Sequence, residues 1–246
     1  MSYSFFSGYY DGLTENVGYK ERSDYLAELC RRHGHQWGTT LDLACGTGSL
    51  TLELYKRGID IFGADASADM LAEAQQKAYE NGAEILYICQ KMQELELYGG
   101  IDTCICTLDS INHLTAPGDV RKTFCNVARY MTVGGLFIFD VNTLYKHRIV
   151  LGNNCFVYDT DEVFCVWQNE LDEKTDTVRI ILDFFVPDGK GYQRECEEFS
   201  ERAYTDNELI NWLGEAGFEV RAIYDDMTFE EPKEKCERKF FVAERI

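Results

Sequence analysis

An apolar run, Leu41-Asp42-Leu43-Ala44, breaks into Cys45-Gly46-Thr47-Gly48 and then into a helix-patterned stretch. This strand-to-helix corner narrows the architectures open to the chain. Its two glycines let backbone N–H groups approach a ligand closely, because glycine tolerates positive φ and carries no Cβ. A second apolar run, Ile59-Asp60-Ile61-Phe62-Gly63-Ala64, ends on Asp65. A carboxylate roughly 20 residues beyond a glycine corner is spaced to hold ribose hydroxyls in a doubly wound fold. Alone, Gly46 and Gly48 read equally as an ordinary turn and Asp65 as a helix-capping group. Together they point to a nucleoside-containing ligand.

Around that corner the pattern alternates. Strands are expected at 40–44, 59–64, 84–89, 101–108 and 135–140, with helices at 20–33, 48–57, 67–81 and 117–131. Ser67 reads as an N-cap, and Gly82 and Gly134-Gly135 as helix stops. Such alternation implies a parallel sheet covered on both faces. Over residues 155–203 the rhythm changes. The runs Val163–Leu171, Thr177–Val186 and Tyr192–Tyr204 are parted by Asp172-Glu173-Lys174 and by Pro187-Asp188-Gly189-Lys190-Gly191, both rich in turn residues. Tight connections between short strands indicate an antiparallel meander. A helix at 206–216, ended by Gly217, and strands at 218–225 and 238–244 complete the chain. The expected fold is α/β: a Rossmann-like, doubly wound, mostly parallel seven-stranded sheet with an antiparallel β insertion after strand five. Residues 1–150 and 204–246 would form the core with an N-terminal helical cap, and 151–203 a lid or dimer surface.

A formal charge of −19 argues against a broad phosphate-binding surface, so nucleic acid is not an expected partner. The ten cysteines contain no C-x-x-C pair, so the spacing of a zinc ribbon or redox dithiol is missing and no metal is expected. Neither a signal peptide nor a bilayer-length apolar run is visible, and a cytoplasmic setting without membrane contact is expected.

A dinucleotide fingerprint needs a third glycine, but Gly46-Thr47-Gly48 is followed by Ser49-Leu50-Thr51, which weakens a nicotinamide reading. The chain instead resembles class I S-adenosylmethionine (SAM)-dependent methyltransferases. The likeness rests on LDLACGTGSLT, GADASADML, CQKMQEL, IDTCICTLDSINHL and GGLFIFDVN, in that order over residues 39–142. Tyr9-Tyr10-Asp11 and the C-terminal ERKFFVAER resemble a narrower group, the small bacterial YqeM-like methyltransferases. A looser similarity is to glycine/sarcosine and amino-sugar N-methyltransferases.

The resemblance implies SAM as cofactor and S-adenosyl-L-homocysteine as product. It places the Ala44–Gly48 backbone along the methionine and ribose, with Asp42 orienting the loop or a bound water. Many relatives have glycine where this chain has Ala44. Asp65 would accept from the ribose hydroxyls, and Ala66 and Met70 would pack on adenine, though helical spacing also suits Met70 to the core. Lys91-Met92 stands where an acidic residue usually recognises the adenine amino group; Lys91 cannot accept that bond, which leaves the Met92 backbone. Leu108 and Asp109 would flank the methionine moiety and the acceptor mouth. Tyr10 and Tyr19 would close the pocket or simply pack the N-terminal helix.

Methyl transfer from a sulfonium is an in-line displacement that depends on alignment and water exclusion. An amine need only arrive neutral, whereas a hydroxyl calls for a base. Asp109, His113 and His147 are the candidates, His113 first, with an ordinary loop histidine as its competing role. The expected function is methyl transfer from SAM to a nitrogen or oxygen of a small molecule. RNA or protein methylation, and a SAM-binding module without transfer activity, stand as alternatives. A homodimer is left open.

Overall fold

The computed structural model describes residues 18–160 and 163–246. Tyr10, with Tyr9 and Asp11, lies outside them. Strands β1 (Thr40–Leu43), β2 (Ile61–Asp65), β3 (Tyr87–Cys89), β4 (Ile101–Cys106), β5 (Met131–Asn142), β10 (Phe218–Asp225) and β11 (Arg238–Arg245) form one seven-stranded sheet ordered β10-β11-β5-β4-β1-β2-β3. Contacts among β1 to β5 are parallel, while β11 pairs antiparallel with both β5 and β10. The Rossmann-like expectation therefore holds. Helices α1 (Tyr19–Arg32), α2 (Ser49–Lys56), α3 (Ala68–Glu80), α4 (Pro117–Tyr130) and α5 (Asp206–Ala216) cover it.

Two apolar clusters, one on each face, explain why the central strands read as continuous hydrophobic runs. One joins Leu41, Leu43, Cys104, Phe124, Phe137, Phe139, Trp212 and Phe241; the other joins Leu26, Leu29, Leu54, Ile105, Ile138 and Phe240. Local chemistry sets the ends. Ser67 Oγ accepts from Met70 N at 3.3 Å and opens α3, while Thr205 and Glu208 form a reciprocal capping box on α5. Gly217, at φ 90°, closes α5.

Some boundaries differ from the sequence reading. β3 is shorter than 84–89 because, as the sheet edge, it meets β2 only from Gly63 onward. β5 begins at Met131, which pairs with Ile101, so Gly134-Gly135 lie within the extended segment and not at the helix end. The insertion has four strands where three runs were expected: β6 (Cys155–Asp159), β7 (Phe164–Asp172), β8 (Thr177–Pro187) and β9 (Tyr192–Arg202), all antiparallel neighbours. A π-helical turn, Lys146–Leu151, leads from β5 into it. The small sheet keeps its own apolar cluster of Leu151, Val163, Cys165, Val178, Ile180, Leu182 and Phe184.

Candidate active site

Strand order reverses between β1 and β4, and an open α/β sheet places its ligand outside the carboxyl ends of strands at such a point. The β1–α2 corner and the tip of β2 meet there. Gly46 N–H donates to Asp65 Oδ2 at 2.9 Å, and Ser67 N–H donates to Oδ1 at 2.8 Å. Two backbone donors thus hold the carboxylate in place. Burial raises the Asp65 pKa above its ordinary value, against these donors.

The two glycines of the corner do different jobs. A Cβ on Gly48 would lie 2.6 Å from the Tyr87 hydroxyl and 2.9 Å from Ala74 Cβ, so packing requires that glycine. A Cβ on Gly46 would meet nothing within 4 Å. Open space over a backbone fixed against a carboxylate fits close approach by a ribose and its attached chain. Ala44 sits at φ 60°, a left-handed conformation that suits glycine better than alanine. Asp42 is buried beneath the corner, accepts from Thr51 Oγ1 at 2.6 Å, and has its pKa pushed up to about 7 by burial. It therefore braces α2 against β1.

Ala66 is exposed beside Asp65, whereas Met70 is buried on α3. Met92 packs against the apolar core, and the Lys91 ammonium points outward, 3.7 Å from Glu94. Tyr19 opens α1 and packs against the second apolar cluster.

Beyond β4, Leu108 and Asp109 stand at φ 58° and 53°. Consecutive left-handed residues without glycine need compensation. Asp140, fully buried on β5, supplies it: its oxygens accept from Leu108 N at 2.8 Å and Asp109 N at 2.7 Å. Two guanidiniums neutralise Asp140, Arg22 at 3.3 Å and Arg238 in direct contact, and Arg238 also donates to Asp109 Oδ1 at 2.6 Å. Burial works against ionised Asp109, but the charges of Arg238 and Lys146 and the Arg238 hydrogen bond hold it well below the usual carboxylate range.

Asp109 faces a second acid delivered by the insertion. Asn142 Nδ2 donates to Asp109 Oδ2 at 2.9 Å and to Glu201 Oε2 at 3.2 Å, tying β5 to β9. His113 Nε2 lies 3.7 Å from Glu201 Oε1, and His147 Nε2 lies 3.7 Å from Glu201 Oε2. Burial, with the Asp109 charge, pushes the Glu201 pKa up to about 8. Burial lowers the His113 pKa, with the fields of Asp109 and Asp65 opposing it. His113 Nδ1 is covered and has no hydrogen-bond partner. Donor atoms of Asp109, His113 and Glu201 lie within 4.8 Å of one another, close enough to hold a cation, although Arg238 already supplies positive charge to Asp109.

The structure thus joins Asp65 to the glycine corner and Asp109 to His113. Sequence reasoning missed Asp140, Asn142, Arg238 and Glu201. A charged Asp140 within the apolar run Leu136-Phe137-Ile138-Phe139 was a readable signal for a buried ion pair. Glu201 gave none, as one acid among several in an exposed-looking strand.

A family model described as a methyltransferase domain matches residues 40–135. YqeM of Bacillus subtilis (strain 168), named as an unproven methyltransferase, is 31% identical over 100% of this chain and 98% of its own. The chain belongs to the SAM-dependent methyltransferases. The crystal structure of an S-adenosylmethionine-dependent methyltransferase from Clostridium acetobutylicum ATCC 824 superposes on this methyltransferase with TM-score 0.90, at 35% identity over 99% of this chain and 98% of that one. A glycine/sarcosine N-methyltransferase of Parasynechococcus marenigrum (strain WH8102) is 27% identical over 65% of this chain and 56% of its own. The protein is therefore an enzyme that uses SAM. Among its described residues, no helix is long and apolar enough to cross a membrane.

Proposed function

We propose that this methyltransferase moves the SAM methyl group to the nitrogen of a small amine. The observation that carries the reading is His113: a partly exposed, neutral imidazole beside the acids Asp109 and Glu201. A small amine reaches the site largely as an ammonium ion, which the ionised Asp109 attracts and a neutral imidazole can deprotonate. The likeness to a glycine/sarcosine N-methyltransferase supports nitrogen over oxygen. A net charge of −19 disfavours RNA as acceptor.

Bound SAM supplies an electrophilic methyl carbon, whose C–S bond breaks as the C–N bond forms and sulfur leaves neutral. The chain's own contribution is placement. Asp65 and the Gly46 corner would hold the ribose, Ala66 and Met70 the adenine, Met92 its edge, and Leu108 with Asp109 the methionine side. His113 would take the proton that the ammonium must lose. Tyr19 would help close the pocket.

Incubation with methyl-labelled SAM and pooled small amines, alcohols, RNA and protein tests the assignment. Label in an amine product is the expected result. Label confined to hydroxyl compounds, RNA or protein would overturn the nitrogen reading, and SAM binding without any product would make the chain a binding module. For the cofactor seat, Asp65→Ala should weaken SAM binding in calorimetry by about 1–3 kcal/mol, the scale for losing a charged hydrogen-bond partner. Unchanged affinity would remove the ribose assignment.

A further inference from the structure

We propose that Glu201, carried by the last strand of the insertion, is a positioning residue that fixes the tautomers of His113 and His147. The inference rests on the amine reading given above, but its principal test does not require turnover.

The chain of reasoning starts at a backbone carbonyl. His147 Nδ1 lies 3.2 Å from Asp176 O, and a carbonyl only accepts, so Nδ1 carries the hydrogen. The His147 side chain is wholly buried, which lowers its pKa and keeps the ring neutral. Its Nε2 is then a bare lone pair, and that atom has no hydrogen-bond partner. It faces Glu201 Oε2 at 3.7 Å. An ionised carboxylate there would set two acceptors against each other. A carboxyl that retains its proton removes the conflict, and burial beside Asp109 favours that form. Oε2–H then points to His147, leaving Oε1 to accept from His113 Nε2–H across the second gap of 3.7 Å. His113 is thereby left with a bare Nδ1, the covered and unsatisfied atom.

Both gaps exceed hydrogen-bond contact, and such contacts in a ligand-free site tighten as the reacting complex forms. The charged and polar groups facing Glu201 come from every neighbouring element: Asp109 and His113 after β4, Asn142 on β5, Lys146 and His147 on the π-helical turn, and Arg238 on β11. Asn142 and the pair Asp109–Arg238 hold the carboxyl in position without taking its proton.

Nitrogen-15 NMR of the four histidines in the full chain, saturated with S-adenosyl-L-homocysteine, tests this directly. His113→Gln and His147→Gln assign the resonances. His113 should appear with hydrogen on Nε2 and His147 with hydrogen on Nδ1. Both Nε2 signals should shift together with a midpoint near pH 8, and Glu201→Gln, which preserves shape but cannot titrate, should abolish that step. Hydrogen on His113 Nδ1, or the same titration in Glu201→Gln, would overturn the proposal; the wild-type spectrum decides even if the variant folds poorly. Should no amine prove to be a substrate, the amine reading fails while the tautomer result stands by itself. With a substrate in hand, Glu201→Gln should lower kcat roughly 10- to 100-fold and flatten its pH profile, with KM for SAM unchanged.

Discussion

β5 in the large sheet and β9 in the small one are of similar length but bury their residues in opposite ways. From Gly135 to Asn142 every residue of β5 is buried, because helices cover the sheet on both faces. Along β9 only Glu201 is fully buried. The outer face of the small sheet carries ion pairs instead, with Arg179 held between Glu170 and Glu198. A strand apolar on both faces defines a core. A strand whose one buried residue is an acid lends that acid to something else, and here its neighbours are Asn142, His113 and His147. The two sheets meet at this cluster.

Core truncations test that contrast most severely. Phe139→Ala removes a fully buried ring that stacks on Phe241 with centroids 5.1 Å apart, and should destabilise the protein by about 3–5 kcal/mol. Phe184→Ala empties an equally buried site in the small cluster. Its loss should be of similar chemical size but local. Hydrogen exchange should quicken over 155–202 while calorimetric SAM affinity holds. Faster exchange throughout the large sheet in Phe184→Ala would erase the distinction between the two regions.

A pH test separates the acid under the corner from those on the open sheet. Burial pushes the Asp42 pKa up to about 7 in the folded chain, against about 3.9 when unfolded. A folded pKa above the unfolded one gives stability that is complete below about pH 4 and is lost as pH rises through 7. At 1.36 kcal/mol per pKa unit, the loss by pH 8 reaches about 4 kcal/mol. Asp42→Asn cannot ionise and retains an acceptor for the Thr51 hydroxyl. Relative to wild type, it should gain stability between pH 4 and 8 in urea unfolding. A pH-independent difference would show that Asp42 is ionised at no cost. Glu198, exposed on β9 and held below its usual range by Arg179, should show no such gain on conversion to Gln.

The same contrast explains what was legible in the sequence. Two-sided burial and alternating helices made the large sheet readable almost strand by strand, and the corner with Asp65 came with it. β6 escaped notice because Cys155-Phe156-Val157-Tyr158 is a short unbroken apolar run with no polar alternation to mark it as a strand, and it forms only the edge of the small sheet. Glu201 was hidden for a related reason: only the pairing of β9 beside β8 and the contact with Asn142 distinguish it from Glu195, Glu197 and Glu198. Backbone strain at Leu108 and Asp109 was equally invisible, since what compensates it, Asp140, lies about 30 residues onward.

The smallest effect is expected at positions where both regions hold a non-glycine residue at positive φ. Ala44 in the corner stands at 60° and Asp176, in the turn before β8, at 55°. Aspartate tolerates the left-handed region through local hydrogen bonding, and Asp176 gains two further contacts, from Arg148 Nε at 2.5 Å and Nη2 at 2.9 Å. Alanine has no such compensation. Relieving it saves roughly 1–2 kcal/mol of backbone strain, while the added freedom of glycine in the unfolded chain returns roughly 0.4–1. Ala44→Gly should therefore raise stability by about 0.5–1 kcal/mol, read as a higher Tm, whereas Asp176→Gly forfeits the Arg148 pair and should show no gain. A lower Tm for Ala44→Gly would mean that the corner depends on the alanine methyl for packing.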